Sequence, residues 1–206
     1  MIRQLRATVD EGIVKQHQSA IFLALTLLVG WMSQADAQTI RLREAGTGKS
    51  RIEAQVGQSV QIEVFADLQG VSSAGSSFFI SMPEREFFEV RDFGLAGNVG
   101  IQPFQQGPLF AGGVEVSNLL LPESDPVAAQ LNGQQLDYGA VIGLGGDRER
   151  TGSGVIATFT LLCLKPIDNG ALDIDDNPIR ETRLVLADGI SEARYRTVQG
   201  MEITVT

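Results

Sequence analysis

Apolar residues in this chain recur at every second position, and that period limits its folds more than any single motif. In SVQIEVFADL, Val60, Ile62, Val64 and Ala66 alternate with Gln61, Glu63, Phe65 and Asp67. Side chains of an extended strand point alternately to opposite faces, so this is a strand with one face in a core and one in solvent. LDYGAVIGL sets Leu136, Tyr138, Ala140, Ile142 and Leu144 on one face. VIATFTLLCL sets Ala157, Phe159, Leu161 and Cys163 against Thr158, Thr160 and Leu162. With RIEAQV, SSFFISM, FFEVRDF, VEVSNLL, TRLVLAD and MEITVT, the pattern gives about nine strands. Helical periodicity is scarce, limited to a turn or two in DPVAAQLNGQQ. Stretches rich in Gly, Pro, Asn and Asp separate the strands, among them QQGPLFAGG, LPESDPVAAQLNGQQ and KPIDNGALDIDDNP. Many strands with such punctuation predict an all-β, antiparallel two-sheet sandwich.

The first residues do not share this period. AIFLALTLLVGWM (Ala20–Met32) is an uncharged apolar run with Arg3, Arg6 and Lys15 upstream and ADA (Ala35–Ala37) downstream. The run falls short of the roughly 20 residues of a membrane span. It reads as a secretory signal over residues 1–37, cleaved after Ala37, and implies a secreted protein with no membrane attachment after cleavage. Retention of the leader as an anchor is the alternative. Residues 38–50 then read as a flexible lead-in and 51–206 as the domain.

The leader's three basic and three acidic residues cancel, so the net charge of −9 belongs to residues 38–206. Such a chain repels phosphate backbones, which argues against nucleic acid. The sole histidine, His17, lies in the leader. Serine–histidine and cysteine–histidine catalysis and histidine-ligated metals are thereby excluded from the domain. Cys163 is the only cysteine, so no intrachain disulfide forms, and its apolar strand predicts a buried, inert thiol. AGTGKS (Ala45–Ser50) resembles the end of a phosphate-binding loop, but the position of its first glycine holds Arg43. The strand-patterned RIEAQVGQSVQIEV follows where a helix is needed. The hexapeptide is read as a turn, and no nucleotide is expected.

Three further features bear on function. In DIDDNP, Asp173, Asp175 and Asn177 match alternate positions of an EF-hand loop, but Pro178 stands where glycine is required and Leu184 where glutamate is. A solvated acidic turn is the plain reading, so no cofactor is expected. A looser calcium site on Asp173, Asp175 and Asn177 with another loop is the alternative. No carboxylate pair is set apart as a catalytic dyad, so the chain reads as no enzyme. Strand parity turns Phe79, Val141 and Leu162 away from the core, with Thr158 and Thr160 beside Leu162. Were their strands neighbours, they would form an exposed apolar patch of the kind protein interfaces use; burial beneath the long loops, or a bulge that flips parity, is the alternative.

The order of these motifs resembles the cohesin domain family. VGQSVQIEVFADLQGVSSAGSSFFISMPEREFFEV is similar to the family's opening strands, and GSGVIATFTLLCL to a later one, with Gly154, Ala157, Phe159 and Leu161 in matching places. TRLVLADGISEARYRTVQGMEITV is similar to its closing pair, and PESDPVAAQLNGQQ is an insertion. The resemblance implies a jelly-roll sandwich of nine strands related to carbohydrate-binding modules, and non-catalytic binding of a protein partner of dockerin type. Its binding sheet would contain Phe79, Val141, Thr158, Thr160 and Leu162. A role in extracellular polysaccharide degradation or surface assembly would follow. The alternative is a module that binds an extracellular polysaccharide itself.

Overall fold

The computed structural model describes residues 38–206 except Val127, 144–148 and 176–180. The leader, Leu144 and Asn177 therefore lie outside the described residues. The chain is an all-β sandwich of two sheets. The first, here the β3 sheet, contains β1 (Thr39–Glu44), β3 (Ser59–Asp67), β5 (Phe88–Val90), β6 (Gln105–Gln106), β9 (Ser153–Cys163) and β13 (Thr197–Gln199). Its order is β13-β1-β3-β9-β5, with β6 also on β9. The second, the β4 sheet, contains β2 (Arg51–Ala54), β4 (Ser73–Met82), β7 (Val114–Leu120), β8 (Gln134–Val141), β10 (Ile167–Asp175), β11 (Arg183–Leu186), β12 (Glu192–Arg194) and β14 (Met201–Val205). One edge of β4 pairs with β8, which carries β7. The other edge pairs with β10 through Phe79–Ser81 and with β11 through Ser73–Ser77.

The alternation seen in the sequence decides what lies between the sheets. Val60, Ile62, Val64 and Ala66 of β3, Leu136, Tyr138 and Ala140 of β8, and Ala157, Phe159, Leu161 and Cys163 of β9 are all buried. At the centre Phe78 stacks on Tyr138 with ring centroids 5.2 Å apart, and Phe104 meets Phe78, Tyr138 and Phe159 at 5.1–5.4 Å. Such pairs add about 0.5–1.5 kcal/mol each beyond burial of their area. Burial raises the pKa of the Cys163 thiol, which leaves it protonated and unreactive at neutral pH.

Two sequence expectations are corrected here. Residues 39–44 are not a flexible lead-in. TIRLRE alternates too, and Ile40 and Leu42 are buried where β1 runs antiparallel to β3 and parallel to β13. KPIDNGALDIDDNP is not only a turn, since it contains β10. Its Asn and Gly form an irregularity between Ile167 and Gly170, with Asn169 at φ 62. A Cβ on Gly170 would lie 3.0 Å from both Ile203 O and the Phe88 ring, so the residues that read as a turn let the strand approach its neighbours closely. AGTGKS does form a turn, carrying the chain from β1 in one sheet to β2 in the other. Gly46 and Gly48 have positive φ, and the Gly48 amide donates to Glu44 O at 2.9 Å.

Candidate docking face

The outer face of the β4 sheet is laid out in rows by the strand registers. One row runs Val185, Gly75, Val141, Val114 across β11, β4, β8 and β7. The next runs Arg183, Ser77, Gly139, Ser117. A bulge between Glu115 and Ser117 turns both Val116 and Ser117 outward. Val116 lies over β8 because Gly139 has no side chain: a Cβ there would sit 2.9 Å from Val116 Cγ2. Ser117 Oγ donates to Asp137 Oδ2 at 2.6 Å. Val114 and Val116 are 67% and 68% exposed, and Val141 and Val185 are half-buried. The result is an open apolar row backed by glycine, with polar groups held against the sheet. Arg183 is paired with Glu181, which Arg194 also approaches at 3.4 Å.

The third row, Asp175, Phe79, Asp137, Leu119, is different. Phe79 keeps the outward parity its sequence predicts, yet it is fully buried. It forms a small cluster with Leu121, packed against by Leu119 and Ala128, separate from the main core. The inserted segment after β7 folds back over it. The Phe79 amide donates to Thr182 Oγ1 at 3.3 Å, and that hydroxyl donates to Asp175 O at 2.7 Å. This patches the ladder where β4 changes partner from β10 to β11.

The structure separates the five expected docking residues. Phe79 and Val141 are in the β4 sheet, whereas Thr158, Thr160 and Leu162 are on β9 in the β3 sheet. Leu162 sits between Ser59 of β3 and Glu89 of β5, and Thr158 between Glu63 and Gln105. That outer face is polar. Its one aromatic ring, Phe65 on β3, is covered by the guanidinium of Arg43 at 3.8 Å and approached by that of Arg41 at 4.9 Å. The single patch expected from parity is therefore not formed, because parity fixes the side of a strand and not the sheet to which it belongs. Val114, Val116 and Val185 were absent from the sequence-based set. The alternation in VEVSNLL and TRLVLAD signalled them, but nothing in those strings announced the bulge at Val116 or the bare Gly139 beneath it.

Asp173 and Asp175 project from one side of β10, and Asp175 accepts a short hydrogen bond from Ser81. Partial desolvation against the sheet, then Asp175 and Glu202, hold the carboxyl of the exposed Asp173 above its ordinary range. Among the described residues no three His, Cys, Asp or Glu side chains are grouped to hold a metal. Tyr138 and Tyr195 are buried, with Tyr138 donating to Glu115 Oε1 at 3.1 Å and Tyr195 bonded to Ser76 at 2.8 Å. Burial raises both phenols well above their ordinary value, and with their rings inside the sandwich neither offers a stacking platform.

No family model and no curated protein matches the chain. Solved structures do. A type II cohesin, A11, from Bacteroides cellulosolvens superposes with a TM-score of 0.58 at 17% identity, over 82% of this chain and 99% of that one. The fold is cohesin-like. A non-cellulosomal cohesin from the archaeon Archaeoglobus fulgidus gives a TM-score of 0.54 at 15% identity, over 82% of this chain and 91% of that one. A structure of a type II cohesin–X-dockerin complex from Acetivibrio cellulolyticus gives 0.57 at 15% identity, over 82% and 99%. The cohesin-like sandwich takes in β1, which the sequence pattern alone had left outside the domain.

Proposed function

We propose that this chain is a non-catalytic protein-docking module that binds its partner through the outer face of the β4 sheet. The observation that carries the reading is the row Val185, Gly75, Val141, Val114, with Val116 beside it. Exposed valines on a glycine-backed sheet offer a partner dry contact area, and such area is what interface centres use. The partner is a protein of dockerin type, the kind held in the superposed Acetivibrio complex. The leader's pattern supports export, and a place in extracellular assembly of polysaccharide-degrading proteins fits both. Thr158, Thr160 and Leu162 stand outside this face and become its control. No observation favours direct polysaccharide binding, since both tyrosines are buried and Phe65 is occupied by arginine.

The test is binding of a type II dockerin to the full chain and to two variants. Val141→Arg places a charge in the apolar row and weakens binding about 100-fold, the loss of a central contact. Leu162→Arg leaves it within about twofold, as substitutions outside an interface do. Loss in Leu162→Arg with full binding by Val141→Arg would overturn the assignment.

A further inference from the structure

Phe79 is placed as a docking residue and buried as a core residue, and what covers it is this chain's own inserted segment. We infer that residues 121–126 and 128–133 are a displaceable cover on the docking face, with Leu121 and Ala128 occupying the ground on Phe79 that a partner's apolar side chain takes when it binds. The inference rests on the docking reading above and adds a regulation to it.

Three observations carry it. The cluster of Phe79 and Leu121, with Leu119 and Ala128, is separate from the main core, so its opening need not unpack the space between the sheets. The segment bonds to itself: Asp125 N to Pro122 O, Ala129 N to Asp125 O, Leu131 N to Ala128 O and Gln130 Nε2 to Pro126 O. Its bonds to β8 include Leu121 N to Gln135 O and Gln135 Nε2 to Asn132 O, both 2.9 Å. A loop that bonds to itself and packs on an outer apolar cluster opens more readily than the strands beneath it.

The third observation is Gln135. Its side chain lies beneath the segment, in the row that pairs Ser81 with Gln135. Its Oε1 is the only buried side-chain nitrogen or oxygen among the described residues without a hydrogen-bond partner. Its amide orientation is fixed by the bond to Asn132. Closing the cover thus leaves an acceptor buried and unpaired, which opposes closure, and opening returns it to solvent. The closed state is held chiefly by apolar contact on Phe79, the contact a partner can replace. A partner must first displace the cover, so its apparent affinity is reduced by the open fraction.

The test pairs hydrogen exchange with titration of the type II dockerin, on the full chain and on Leu121→Ser and Phe79→Ser. Both variants speed exchange across 119–133 about tenfold, by loosening one apolar contact, while β3 and β9 exchange as before. Their effects on binding have opposite signs. Leu121→Ser removes the competitor and tightens binding several-fold, whereas Phe79→Ser removes the shared platform and weakens it. Weakening in both, or no change in Leu121→Ser, overturns the cover. So does exchange of 119–133 only in step with β3 and β9, a result that leaves the docking reading standing. Separate, fast exchange with no dockerin bound by any form instead overturns the docking reading, and with it the cover's role. Ala128→Asp, which alters the loop and neither strand, repeats the measurement if Leu121→Ser does not fold.

Discussion

Phe78 and Phe79 are adjacent in β4 and equally hidden, yet two different structures hide them. Phe78 faces inward, stacked on Tyr138 and edged by Phe104 among side chains from both sheets. Phe79 faces outward and is hidden by Leu121 and its neighbours from one inserted segment. The difference teaches that burial alone does not mark a core residue. Interior burial is enforced by the whole sandwich, whereas burial under a loop lasts only while the loop stays down.

The largest expected effect separates the two rings directly. Phe78→Ala costs about 3–5 kcal/mol in urea unfolding, because the aromatic cluster cannot collapse around the void. Phe79→Ala costs about 1–2 kcal/mol, because the covering segment can settle or lift away. Equal costs would mean that the outer cluster is part of the same cooperative core. A smaller effect is expected for Gly139→Ala. Its new Cβ meets Val116 Cγ2 at 2.9 Å and swings that side chain off β8, lowering dockerin affinity several-fold with less than about 1 kcal/mol lost in stability. Unchanged affinity would remove Val116 from the docking face.

The smallest effect lies at the rim of the outer face, on β10. Asp173, exposed at the strand's surface, is held above its ordinary value of 3.8 by partial desolvation, then by Asp175 and Glu202. The folded chain therefore binds this proton more tightly than the unfolded chain does. Its contribution to stability is present at low pH and falls as pH rises from that ordinary value through the raised one. Asp173→Asn should raise the melting temperature slightly at pH 7 and leave it unchanged at pH 3. A loss at pH 7 would show that the carboxylate is held by a favourable partner instead.

The inward face of this sandwich was legible in the sequence because period two is a local signal. Val60 to Ala66, Leu136 to Ala140 and Ala157 to Cys163 were assigned to the core by alternation alone, and all are buried. The outward face was only half legible. Parity placed Phe79, Val141 and Leu162 outward, but pairing between distant strands decides which outward residues meet. It put Leu162 on the opposite sheet, in a row with Ser59 and Glu89. β10 was read as a turn because its Asn169 and Gly170 serve a close approach to Phe88 and Ile203, which only the assembled sheets reveal. For Phe79 the sequence leaves exposure and burial beneath a long loop both open, and the structure takes the second; an insertion of Pro, Ser, Asp and Ala carries no sign of which ring it covers.

The claim that the β4 sheet, and not the β3 sheet, meets the partner is tested most directly by a protection footprint. Amide exchange would be compared residue by residue with and without saturating type II dockerin. The account predicts new protection along β11, β4, β8 and β7 around Val185, Gly75, Val141 and Val114, with the amides of β3 and β9 around Glu63, Thr158 and Leu162 unchanged. Protection confined to β3 and β9, or none on either sheet, would contradict it.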